Sequence, residues 1–316
     1  MAHGLLDRRL LFVTGKGGVG KTSVASAIAM LAADQGKRTL ICEVDSKGDL
    51  AEFLGVGPLK FQPVEVRKGL FAMSMDTEES LKEYLRLFLK VPLVSRLGVL
   101  ASTFDFLANA APGVKEVLTV GKLTHEVRER NYDLVVVDAS ATGHVVGQLA
   151  SPVAINDLVK VGLVRNQTDW MIEILTDSDQ TGVVVVTAPE EMPVAETLEL
   201  IERLGDETDI AIAAVVVNRV LPELFSRDDE QLFAALRDTA PHELLRKDLG
   251  EGIDTVLEGA DMAVSLRRGR VPHLMRLRDG LPAAIELLYL PYLFHRTHGI
   301  RATARISEEL GAELGF

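Results

Sequence analysis

The chain has 316 residues, 47% of them hydrophobic, and a formal charge of −12. Apolar side chains are ample for a buried core, and the acidic field counts against non-specific DNA binding, so nucleic acid is not an expected partner. One cysteine, Cys42, excludes an intrachain disulfide, a four-thiolate zinc site and a single-chain iron–sulfur cluster.

In chain order, Met1–Arg9 carries Arg8 and Arg9 but lacks the apolar region and cleavage site of a signal peptide. No predominantly apolar stretch reaches the ~18 residues of a membrane span, so the expected location is cytoplasmic. Short apolar runs then recur between turn or cap signals: Leu10–Thr14, Thr39–Glu43, Leu70–Met75, Leu134–Asp138, Val183–Thr187, Ala211–Asn218 and Leu287–Leu290. Rich in Val, Ile and Leu without polar alternation, they predict strands of a parallel sheet covered on both faces. Helical segments such as Ser23–Gln35 and Pro193–Leu204 lie between most of them. The order predicts a doubly wound α/β fold, which binds ligands beyond the carboxyl ends of its strands.

Two stretches exceed simple crossovers. Thr77–Arg130 reads as several helices carrying Leu81, Tyr84, Leu85, Leu87, Phe88, Leu89, Leu97, Phe104 and Phe106, whose leucines and phenylalanines pack a core or line an apolar client groove. Leu221–Gly280 is helical and strongly charged, and its run Arg267, Arg268, Arg270, Arg276 and Arg278 reads as a solvated face. With no repeat or low-complexity linker, both read as insertions, near 77–130 and 221–280, in one domain spanning 1–316.

Between the first strand and first helix, Gly15-Lys16-Gly17-Gly18-Val19-Gly20-Lys21-Thr22 fits the G-x-x-x-x-G-K-[ST] phosphate loop in its required context. The glycines let backbone N–H groups turn around phosphate oxygens, and the helix that opens at Ser23 adds its positive dipole end. Lys21 reaches the β- and γ-phosphates of ATP or ADP, and the Thr22 hydroxyl ligates Mg²⁺. Strand two ends in Glu43-Val44-Asp45. A carboxylate at Asp45 orients a water for attack on the γ-phosphate or binds Mg²⁺ through water, or else caps a helix. Leu134–Asp138 brings Asp138 to the metal's water shell, followed by the small-residue loop Ala139-Ser140-Ala141-Thr142-Gly143-His144.

The lysine at Lys16 makes the loop resemble the deviant Walker A of the family containing the arsenite-pump ATPases, the septum-site and partition ATPases and the nitrogenase iron protein. That resemblance implies that Lys16 reaches a partner subunit's nucleotide. Asp138–His144 is similar to the D-T-A-P-T-G-H switch of the arsenite-pump and tail-anchored-protein-targeting branch, and Pro112-Gly113-Val114-Lys115-Glu116 resembles part of its helical insertion. Pro189–Thr197 resembles its post-strand helix start, which places Glu196 near the nucleotide. Asn218 resembles its adenine-reading asparagine, and Leu290-Pro291-Tyr292 its adenine loop. The similarity runs from Leu10 to about Gly299 and is greatest to the paired actinobacterial ATPases.

The resemblance implies a Mg²⁺-dependent ATPase cycling as a homodimer, or as a heterodimer with a related ATPase, and a membrane-associated client. Departures are specific. Cys42 alone supports neither a metalloid site nor the zinc clamp of the eukaryotic factors, so no zinc is expected and the dimer contact falls to Leu221–Gly280. Asp45-Ser46-Lys47-Gly48 lacks the usual Pro-Ala-His, and Ser140-Ala141 replaces Ala-Pro. Those changes motivate an alternative, a non-catalytic nucleotide-binding subunit. The short acidic Ile306–Phe316 fits poorly with an anionic membrane or DNA surface.

Overall fold

Leu10 and Phe12 pack on one side of the first strand and Leu11 and Val13 on the other, all fully buried, so this strand has no solvent face. A run without polar alternation is what such a position requires. The structure, a computed structural model, describes residues 4–44, 48–88, 113–159, 161–294 and 299–316. Its strands are β1 (Leu10–Gly15), β2 (Thr39–Glu43), β3 (Val64–Arg67), β4 (Leu70–Ser74), β5 (Leu134–Ala141), β6 (Thr181–Thr187), β7 (Ile212–Val220) and β8 (Glu286–Pro291). They form an eight-stranded sheet ordered β3-β4-β2-β5-β1-β6-β7-β8. Every neighbouring pair is parallel except β3 with β4.

One face is covered by α1 (Lys21–Asp34), α2 (Asp49–Leu54) and, from the far end of the chain, α11 (Ile300–Glu313). The last of these is a packing helix: Leu310 is fully buried, and the Thr303 hydroxyl donates to the Phe53 carbonyl at 2.9 Å. The other face is covered by α4 (Val114–Arg128), α5 (Thr142–Leu158), α6 (Leu163–Thr176), α7 (Glu191–Glu207) and α10 (Gly252–Gly280). Helix α3 (Thr77–Phe88) packs on α4. The buried Lys122 of α4 joins them by pairing with Glu83 of α3 at 2.8 Å, and pairs with Glu126 of its own helix at 2.6 Å. Two short helices, α8 (Arg227–Ala235) and α9 (Thr239–Leu249), precede α10. Doubly wound α/β architecture is thus realised, and α8–α10 lie between β7 and β8.

Two expectations need correction. The hairpin strand β3 is absent from the apolar runs because it lies at the sheet edge and alternates, with Val64 half exposed. The expected loop Ala139–His144 is no loop: β5 continues to Ala141, paired with Gly15, and α5 begins at Thr142. Extra pairing with β1 extends the strand. Asp45, Pro112 and the central part of the first insertion, with Leu89, Leu97, Phe104 and Phe106, lie outside the described residues. Among the described residues no helix is long and apolar enough to cross a membrane.

Candidate functional site

The chain leaves β1 through a turn that only glycine accommodates. Gly15 has φ 148°, and a Cβ there would lie 2.1 Å from the Val186 carbonyl oxygen of β6. Gly18 and Gly20 also take positive φ, 85° and 97°, and α1 starts directly at Lys21. The loop therefore wraps around the open N–H groups of the helix's first turn, which attract anions.

A cavity of about 320 Å³ opens there, lined by Gly17, Gly18, Gly20, Lys21, Thr22 and Ser23 of the loop, by Glu43, Asp49 and Phe53, by Asp138, Ala139 and Ala141, and by Arg219. It sits at the carboxyl ends of β1, β2, β5 and β7, where a doubly wound sheet binds ligands.

The acidic side is set by strand register. Glu43 and Asp138 are lateral partners on β2 and β5, and Val13 pairs with Asp138 on the other side. Thr22 donates its hydroxyl hydrogen to Asp138 Oδ2 at 2.7 Å. Thr14 fixes the neighbouring backbone by donating to the Ser140 carbonyl at 2.9 Å. Burial pushes the Asp138 carboxyl up to about 6; the Thr22 hydrogen bond and Lys21 pull it down, and Glu43 and Asp49 add to the rise. Glu43 is itself buried, accepting from the Leu50 N–H and the Ser74 hydroxyl, each at 3.4 Å. Burial also pushes the Cys42 thiol up, as expected of an inert structural cysteine.

Among the described residues no group of three or more His, Cys, Asp or Glu is placed to hold a metal ion. The hydroxyl of Thr22 beside the Asp138 carboxylate is nonetheless a hard-oxygen pair of the type Mg²⁺ takes when phosphates and waters complete its shell.

The structure distributes the other sequence-derived residues unevenly. Lys21 lies in the cavity and donates to the Lys16 carbonyl at 3.3 Å. The Lys16 side chain lies outside that lining, its Nζ 2.5 Å from Glu196 Oε1 of α7. Asn218 is buried beneath the loop: its Nδ2 donates to the Val19 carbonyl at 2.8 Å, and its Oδ1 accepts from the Arg219 N–H at 2.9 Å. Pro291 ends β8 opposite Val220 and does not line the cavity. Sequence reading did not single out Asp49, Phe53 and Arg219. Glu43, which ends β2, lines the cavity as well.

Residues 8–171 and 163–240 match the family model described as anion-transporting ATPase. ATPase BagA of Mycobacterium tuberculosis is 36% identical over 225 residues, 68% of this chain and 66% of that relative. The arsenical pump-driving ATPase of Acidiphilium multivorum is 29% identical over 241 residues, 69% of this chain and 40% of its own length. ATPase ASNA1 homolog 1 of Paramecium tetraurelia is 27% identical over 324 residues, 89% of this chain and 92% of its own. The chain thus spans about two thirds of the mycobacterial relative and well under half of the pump-driving one. With a phosphate loop of the required geometry and a family model covering most of its length, the chain belongs to the anion-transporting ATPase family.

Proposed function

We propose that this chain is a Mg²⁺-dependent ATPase working as a nucleotide-driven dimeric switch, as a homodimer or with a related ATPase, on a membrane-associated client or with a membrane partner. The observation that carries this reading is a division of labour between two lysines. Lys21 lines its own chain's cavity, whereas Lys16, one residue into the same loop, lies outside that lining and pairs with Glu196.

Backbone N–H groups of Gly17–Thr22 and Lys21 would bind the phosphates, with Ser23 next along the first turn. Thr22 and Asp138 would hold Mg²⁺, which when bound neutralises charge on the phosphate oxygens. Asp45 is the proposed water-orienting carboxylate. In a closed dimer Lys16 would exchange the Glu196 carboxylate for the partner's phosphates, so charge stabilisation would depend on closure. The names arsenical pump-driving ATPase and ASNA1 homolog among the relatives support a client or partner at a membrane.

The test is Mg²⁺-dependent phosphate release by the full chain, with oligomeric state followed by light scattering. Turnover lost in Asp45→Asn, with an ATP-induced dimer lost in Lys16→Ala, is the expected result. Unchanged hydrolysis in Lys16→Ala sinks the dimeric mechanism. ATP binding without release, even beside a related ATPase, favours the nucleotide-holding subunit that Ser46-Lys47-Gly48 motivates.

A further inference from the structure

Strand β7 is apolar and buried through Val217, then places Asn218 and Arg219 at its carboxyl end. Arg219 has φ 61°, a left-handed conformation that is strained for an L residue. Three hydrogen bonds hold the backbone there. The Arg219 N–H donates to Asn218 Oδ1 at 2.9 Å, Arg270 Nη1 of α10 donates to the Arg219 carbonyl at 3.1 Å, and the Tyr292 N–H donates to the Val220 carbonyl at 2.8 Å. Asn218 in turn bonds the Val19 carbonyl of the phosphate loop. The strained residue is thereby tied to the loop through the Asn218 amide.

This anchoring leaves the Arg219 side chain on the cavity. It and Lys21 are the basic residues lining it, facing Glu43, Asp49 and Asp138. On α10, by contrast, three arginines face carboxylates: Arg267 with Glu223, Arg268 with Glu230 and Arg270 with Glu190. Among the described residues no carboxylate pairs with Arg219, whose side chain is exposed.

Strand order decides which part of a ligand it meets. Asp138 and Thr22 mark the metal side of the loop, on β5, next to β1; Arg219 closes β7, on the opposite side of β1 beyond β6. A nucleotide with its terminal phosphates at Lys21 and Thr22 must leave the loop past Gly20 and Ser23, toward β7. We propose that Arg219 is a nucleotide-binding residue whose guanidinium grips the α-phosphate where the nucleoside leaves the loop. Its planar fork of donors suits a phosphate, and the rigid backbone lowers the entropy cost of aiming it. This rests on the site being a nucleotide site, as proposed above.

The test is calorimetric titration of the full chain with ATP and with ADP in excess Mg²⁺, comparing the parent with Arg219→Gly and Arg219→Lys. Glycine accepts the positive φ, so that variant removes the guanidinium without imposing a new backbone; its thermal unfolding should match or exceed the parent's. A charged hydrogen bond predicts about ten- to a hundredfold weaker binding of both nucleotides by Arg219→Gly, with a smaller loss in Arg219→Lys. Equal affinity of parent and Arg219→Gly overturns this inference alone, as does a loss confined to ATP, which would mean a γ-phosphate contact. Failure of the parent to bind either nucleotide overturns the site reading, and this inference with it.

Discussion

The phosphate loop and the α8–α10 crossover meet the same sheet, yet they are built by opposite means. The loop is fixed by sterics and buried pairing: Gly15 against Val186, Thr22 on Asp138, Asn218 beneath Val19. The crossover is tied by ion pairs open to water, Arg237 with Asp261, Arg246 with Asp254 and Arg267 with Glu223, and it leaves Leu232, Leu244, Val256 and Met262 exposed. Exposed pairs each contribute about 0–1 kcal/mol, whereas a clash in a packed turn cannot relax. The site proposed to hold phosphates, a task that demands precise geometry, sits in the rigid region. The softer region reaches that site through Arg270, which touches both Arg219 and Glu190.

The largest expected break is in the rigid part. Gly15→Ala sets a Cβ 2.1 Å from a backbone oxygen in a parallel-paired strand, so β1 and β6 must separate. We expect a loss of about 3 kcal/mol or more, read as a fall in melting temperature of about 5–10 °C if the variant folds at all. An unchanged melting curve would show that this turn can shift, and the contrast between the two regions would fail.

Asp138→Asn separates function from stability in the same region. Phosphate release should fall about a hundredfold or more as the metal loses its carboxylate. Stability should move the other way. The native carboxyl titrates at about 6 against an ordinary 3.8, so the folded chain holds the extra proton between those values. Stability of the nucleotide-free protein therefore falls as pH rises through that window, by on the order of 3 kcal/mol; below 3.8 the carboxyl is protonated in both states and no stability is lost. Denaturant midpoints at pH 8 should be higher for Asp138→Asn than for the parent, and should converge near pH 4. No gain at pH 8 would mean that Lys21 already offsets the buried charge.

This division also governs what the sequence made legible. Interior strands such as Val183–Thr187 announce themselves because both faces are buried, and the loop because glycine is the residue its turns tolerate. Val64–Arg67 escapes because an edge strand with one open face alternates and resembles a polar linker. Asn218 was assigned to adenine through resemblance, while its amide is visibly committed to the Val19 carbonyl; only the register of β7 against the loop reveals that second duty. Arg219 was unreadable for a physical reason: positive φ at an arginine has no compositional signature, and nothing local marks where its side chain goes. Lys16 was found by its position, but its resting partner lies 180 residues away on α7.

Smaller effects follow at the rim. Glu196→Gln removes the charge that holds Lys16; with both side chains about a third exposed, stability should change by less than about 1 kcal/mol. If the pair restrains closure, ATP-induced association in light scattering should occur at lower protein concentration than for the parent. Association unchanged or weakened would make Glu196 a mere resting contact.

The smallest effects sharpen the comparison most, because they lie two residues apart on α10. Arg268 reaches Glu230 on α8 at the surface, whereas Arg270 donates to the Arg219 carbonyl and faces Glu190. Arg268→Ala should shift stability by under about 0.5 kcal/mol, less still at high salt, and leave ATP affinity unchanged. Arg270→Ala should be nearly as mild in stability yet weaken ATP binding about two- to fivefold, because one of three bonds holding a strained residue at the cavity is gone. Equal affinities in the two variants would mean that the crossover merely decorates the sheet. A difference confined to Arg270→Ala would show the soft region tuning the rigid one through a single backbone carbonyl.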